Sequence, residues 1–114
     1  MPLIGDSMRK ITRDAVDAFF GWKSFSRGNT TVTHFGNESE LRLHGNMIAE
    51  KHHDKLMVSH CGWCTPTTRE RLNGVVSSWN ADLGVRIRGG VMQVVDQDGE
   101  VTMEISGSME RLVG

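Results

Sequence analysis

Residues 43–73 read LHGNMIAEKHHDKLMVSHCGWCTPTTRERLN, and the order of signals in this stretch decides the fold. Gly45-Asn46 fits a two-residue hairpin loop, since both residue types tolerate positive φ. Residues 47–51 return from that loop, His53-Asp54 makes a second turn, and residues 55–60 (KLMVSH) form a further strand. Thr65-Pro66-Thr67-Thr68-Arg69-Glu70 then opens a helix. Thr67 and Glu70 have the spacing of a capping box, and Thr65 with Pro66 at the first helical position is the competing register. Leu72, Val75, Val76 and Trp79 recur at helical spacing as a buried stripe. Gly74 inside that helix costs about 1 kcal/mol relative to alanine, and Asn80, Asp82 and Gly84 end it.

Outward from this stretch the same alternation of helix and strands continues. Upstream, Ile11-Thr12-Arg13-Asp14-Ala15 has the marks of a helix start, with Thr12 as cap and Asp14 at the positive end of the dipole. Ile11, Ala15, Ala18, Phe19 and Trp22 share one face of that helix. Residues 29–35 (NTTVTHF) and 38–44 alternate as strands around a Gly36-Asn37 turn. Downstream, residues 85–88, 91–95 and 100–105 read as three short strands, joined by Gly89-Gly90 and by Asp96-Gln97-Asp98-Gly99. The order is helix, meander, helix, meander. It predicts an α+β fold, with two helices packed on antiparallel sheet formed by two β-meanders. Residues 1–10 read as a flexible lead-in, 11–105 as a single α+β domain, and 106–114 as a C-terminal tail.

Composition narrows the function classes. The chain has 114 residues, 38% apolar and 24% charged, which suits one small globular domain with a modest core. A net charge of −1 exerts no overall pull toward nucleic acid or anionic membrane. No apolar run approaches the roughly 18 residues that span a bilayer. MPLIGDSMRK lacks a cationic start followed by an apolar stretch, so a cytoplasmic location is expected. The two cysteines, Cys61 and Cys64, enclose too small a loop to staple a fold.

Cys61-Gly62-Trp63-Cys64 is the sharpest local motif. A redox dithiol sits at a helix N-terminus, and here a strand precedes the pair and a helix follows. The antiparallel pattern argues against a thioredoxin-like core, and the only prolines are Pro2 and Pro66, neither placed well downstream. Two thiols with histidines also suit zinc. Cys61, Cys64 and His60 are the alternative metal set, although His60 adjoins Cys61 and His52-His53 lie one strand away. The simpler reading makes Cys61 a small buried residue and the histidine pair a solvated turn. Arg69, Arg71, Arg86 and Arg88, with Trp63 for stacking, are the alternative nucleic-acid set. Interleaved acids favour solvated charged faces instead, and Trp22 and Trp79 lie on core-facing stripes. There is no Gly-rich phosphate loop and no nucleophile in a recognisable motif, so neither catalysis nor a cofactor is expected.

GNTTV (28–32), LHGNMIA (43–49) and CGWCTPTTRERLN (61–73) resemble, in that order, a set of small bacteriophage proteins to which no activity is assigned. The resemblance covers roughly residues 9–88. It implies a phage accessory protein that acts by binding a host or phage macromolecule in the host cytoplasm. Trp63, Arg69 and Arg71 are then the candidate binding residues, because exposed tryptophan beside arginine is typical of interface hot spots. A protein partner is the first expectation and nucleic acid the second. Edge strands of a meander also allow a homo-oligomer.

Overall fold

An apolar stripe on the first helix and alternating strands after it give the chain its core. The computed structural model describes residues 9–112, so most of the expected lead-in lies outside the described residues. Helix α1 (Lys10–Phe20) buries Thr12, Ala15, Val16, Ala18 and Phe19. Its N-cap position falls on Arg9, which is extended and makes no side-chain cap. Thr12 is therefore not the cap; it lies one turn in, with its hydroxyl in the protein interior, 0% exposed. The stripe also stops short of Trp22. That residue lies past the helix end at φ 58° and is 45% exposed. It packs against the His34 ring, with Lys51 Nζ 5.1 Å from its centroid.

Strands β1 (Phe25–Arg27), β2 (Thr30–Phe35), β3 (Glu38–Leu43), β4 (Asn46–His52) and β5 (Lys55–Val58) form an antiparallel meander. Period-two alternation sorts their faces. Thr30, Val32, Ser39, Leu41, Leu43, Ala49, Leu56 and Val58 are buried, while Thr31, Thr33, Glu40 and Glu50 lie on the other face. The β3–β4 loop is His44-Gly45, one residue earlier than the sequence suggests, since Leu43 pairs with Asn46. Both loop residues are left-handed, at φ 54° and 81°, as a type I′ turn requires. Pairing then slips at Leu41/Arg42, which face Ala49 and Met47. The bulge accommodates Ile48, so that Ile48 and Ala49 are both buried.

Helix α2 (Pro66–Trp79) starts in the Thr65 register. Thr65 accepts the Thr68 N–H and Pro66 occupies the first turn. The Thr67–Glu70 capping box does not form, because the Glu70 carboxylate takes bonds from Thr12, Arg71 and the Arg9 N–H. Strands β6 (Gly84–Arg88), β7 (Val91–Val95) and β8 (Val101–Ile105) make a second antiparallel sheet, separate from the first. Helix α1 packs on β1, β2, β3 and α2, while α2 packs on β6 and β4. Helix α2 thus ties the two sheets together. Its Leu72, Val75 and Val76 are fully buried, and half-buried Trp79 stacks on Phe20.

The expected tail returns to the fold. Strand β9 (Glu110–Arg111) pairs with the free edge of β5, the Leu112 N–H bonds Leu56 O at 2.7 Å, and Leu112 is buried. Two paired residues are too few to show an alternation, which is why residues 106–114 carry so little signal.

Candidate functional site

The two most distinctive sequence segments meet in space. The β3–β4 hairpin supplies one wall, pinned by the His44 N–H on Asn29 O at 2.7 Å. The other wall is the segment between β5 and α2. It leaves β5 through Ser59, whose N–H bonds Ile48 O, and His60, whose N–H bonds Ser106 O, both at 2.9 Å. Cys61 and Gly62 follow at φ 52° and 86°, and these two left-handed residues turn the chain sharply. The Trp63 N–H bonds His60 O at 2.7 Å and the Thr65 N–H bonds Trp63 O at 2.9 Å. Between the walls lies a cleft of about 390 Å³, lined by Leu43, His44, Asn46, Ile48, His60, Trp63, Thr65, Thr67 and Thr68. That volume lies in the range of small-ligand clefts. Among the described residues, no carboxylate, lysine or arginine lines it.

Trp63 is 59% exposed. Arg69 lies on the first turns of α2, but its Nη1 donates to Val85 O at 3.3 Å. Arg71 is not on the surface at all, being 2% exposed. It donates from Nη1 to Thr12 Oγ1 at 2.7 Å and to Glu70 Oε1, and from Nε to Thr30 Oγ1 at 3.2 Å. Alternation along one helix face misleads here, because the long arginine stem reaches inward to a carboxylate and two hydroxyls. Arg86 donates to Gln93 Oε1 at 2.9 Å on β7, and Arg88 is exposed at the β6–β7 turn. The four arginines of the nucleic-acid set therefore do not form one exposed face.

The thiols are free and turned to different carbonyls. Cys61 Sγ donates to Met47 O at 2.7 Å, and Cys64 Sγ to Gly90 O at 3.4 Å. The His60 Nδ1 accepts the Gly62 N–H at 3.0 Å. Among the described residues Cys61, Cys64 and His60 do not gather into a metal-ligand set. The described residues that do are Glu38, Glu40 and Glu50, on the outer face of β3 and β4. Register brings them together, since Glu40 faces Glu50 and Glu38 faces His52. Alternation of residues 38–44 puts Glu38 and Glu40 on one face, but only the β3–β4 register, which the sequence alone does not set, brings Glu50 beside them. Burial, then the charge and hydrogen bond of Glu38 and the charge of Glu40, hold the Glu50 carboxyl above the usual range. Arg42 Nη1 lies 2.7 Å from Glu40 Oε1 as an ion pair, without hydrogen-bond geometry.

A histidine–serine contact exists at His34 Nδ1 and Ser39 Oγ, 3.0 Å apart. Ser39 is 0% exposed, so no substrate reaches its hydroxyl. His34 Nε2 is held at 2.6 Å by Lys23 O, which makes the pair a brace between the α1–β1 loop and the sheet. Among the described residues no helix is long and apolar enough to cross a membrane.

The chain is thus a small α+β domain with a walled cleft beside the start of α2, and its sequence places it among phage proteins. Residues 8–110 match the family model described as Kyanoviridae Gp96 protein, and the chain belongs to that family. No curated protein and no solved structure matches it.

Proposed function

We propose that this phage protein is a non-enzymatic accessory protein that works by binding a host or phage macromolecule, and that the cleft beside Trp63 is its recognition surface. One observation carries the reading: a 59%-exposed tryptophan stands at a cleft floored by Leu43 and Ile48 and rimmed by histidine, asparagine and threonine side chains. An exposed indole held on a well-bonded loop offers large apolar contact at low entropic cost, and aromatic anchors of this kind dominate binding energy. A protein partner is favoured over nucleic acid, because Arg71 is buried and Arg69 and Arg86 are bonded within the fold.

Affinity capture from a bacterial lysate, with and without nuclease, tests this. A protein band that survives nuclease and is lost with Trp63→Ala is the expected result. A band retained at full strength by Trp63→Ala removes the cleft as the surface. Recovery of nucleic acid that falls steeply with salt moves the reading to the arginines.

A further inference from the structure

Cys61 and Cys64 pack against the edge of the core, and their two thiols hold the Trp63 loop from both sides. Cys61 Sγ bonds Met47 O in β4, and Cys64 Sγ bonds Gly90 O in the β6–β7 turn. One thiol therefore ties the loop to the six-stranded sheet and the other to the three-stranded sheet, with Trp63 between them. Both cysteines are partly exposed, so a small disulfide reaches them. Only two residues separate them, in a segment that already turns back at Cys61 and Gly62.

We infer that Cys61 and Cys64 form a redox modification site, in which thiol–disulfide exchange with a low-molecular-weight disulfide such as oxidised glutathione closes a Cys61–Cys64 bond and releases the Trp63 loop. Cys64, with the longer hydrogen bond, attacks first as the thiolate. It forms a mixed disulfide and expels one glutathione thiolate, which takes up a proton. The Cys61 thiolate then attacks the Cys64 sulfur and expels the second glutathione. The protein loses two protons and two electrons, and one oxidised glutathione becomes two reduced ones. A sulfur cannot donate to Met47 O or Gly90 O once it carries no hydrogen, so both tethers are lost together. The consequence for binding rests on the proposed role of Trp63; the bond and the loop movement do not.

The full chain is equilibrated in glutathione buffers of graded oxidised-to-reduced ratio, quenched with acid and weighed by mass spectrometry. Loop movement is read by hydrogen exchange of the Trp63 and Thr65 amides and by the Trp63 indole resonance, assigned with Trp63→Phe. The expected result is a fully reversible loss of two hydrogens that is absent in Cys61→Ser and in Cys64→Ser. The oxidised form then exchanges the Trp63 and Thr65 amides about tenfold faster, the effect of losing hydrogen bonds that hold a loop closed. A chain that stays reduced, or stops at the mixed disulfide in oxidised glutathione, overturns the inference. So does a disulfide that leaves exchange and the indole resonance unchanged. None of these readouts uses a partner, so failure here leaves the recognition surface to its own test.

Discussion

Replacing Arg71 with alanine should be among the most damaging single substitutions in this protein. The side chain is 2% exposed, and Glu70 beside it has only 12% of its side chain accessible. The guanidinium links three elements: α2, from which it projects, Thr12 on α1 and Thr30 on β2. Thr12 in turn donates to Glu70. Removing the cation strands the Glu70 carboxylate with the Thr12 hydroxyl and the Arg9 N–H as its remaining donors. Breaking a buried pair this way costs about 3–5 kcal/mol, from a total that is about 5–15 kcal/mol for domains of this kind. At about 4 °C per kcal/mol for a chain of this length, Tm should fall by roughly 12–20 °C. Urea unfolding followed by circular dichroism, with calorimetry beside it, measures both. The double variant Arg71→Met with Glu70→Leu removes both charges, and should recover most of the loss, because an apolar pair of similar volume costs little or stabilises. If Arg71→Ala loses less than about 1 kcal/mol, the residue is a surface group and the reasoning fails, since about 1 kcal/mol is what exposed pairs contribute.

The helix register is checked by two alanines. Thr65→Ala removes the cap of α2 and should cost about 1 kcal/mol, whereas Thr67→Ala should stay within about 0.5 kcal/mol; equal losses would mean that the register is wrong. Leu72→Ala opens a cavity in the fully buried stripe of α2 and should cost about 2–5 kcal/mol in the same unfolding assay. Two carboxyls should act on pH dependence with opposite sign. Glu50 is raised from its usual value by burial and by Glu38 and Glu40, so its favourable contribution is complete below the unfolded pKa and is lost as pH rises through the folded one. Glu50→Gln should therefore raise Tm by about 2–4 °C near pH 7, from relief of a like-charge pair, and give no gain near pH 3.5. Asp14 is lowered by hydrogen bonds from Arg27 and Lys10; its contribution is present above the unfolded value and fades as pH falls through the folded one, so Asp14→Asn should lower Tm near neutral pH and lose that effect in acid.

Local chemistry with a short reach was legible in the sequence. The strands of residues 29–60 follow from β-branched alternation broken by glycine and asparagine, and the α2 stripe follows from spacing alone. What lay hidden depends on partners far along the chain. The hairpin loop falls on His44-Gly45 because the β4 bulge sets the register, and a bulge leaves no mark in an alternation count. Thr12 has the chemistry of a cap, but it lies in the interior because Glu70 and Arg71, distant in sequence, arrive there with a carboxylate and a guanidinium. Strand β9 exists only because β5 offers an unpaired edge. Trp22 continues the spacing of the α1 stripe, but Gly21 closes the helix on Asp17 O before Trp22 can follow it.

The location of the cleft has a physical reason of its own. Helix α2 carries the core contacts to both sheets, so its start is fixed from two directions, while the chain entering it must climb off the end of β5. That crossing requires left-handed backbone at Cys61 and Gly62, and the facing hairpin requires it at His44 and Gly45. Non-glycine residues in this region carry strain that only surrounding structure can hold. Among the described residues four non-glycine positions have positive φ, and two of them, His44 and Cys61, flank the same cleft. The strain is held by the Ser59, His60 and Trp63 backbone bonds and by the two thiol–carbonyl contacts. A rigid entry into α2 presents Trp63 to solvent without letting it collapse onto the core. Loosening those contacts should therefore alter the surface around Trp63 while leaving Leu72, Val75 and Val76 packed, which separates the shape of that surface from the stability of the core.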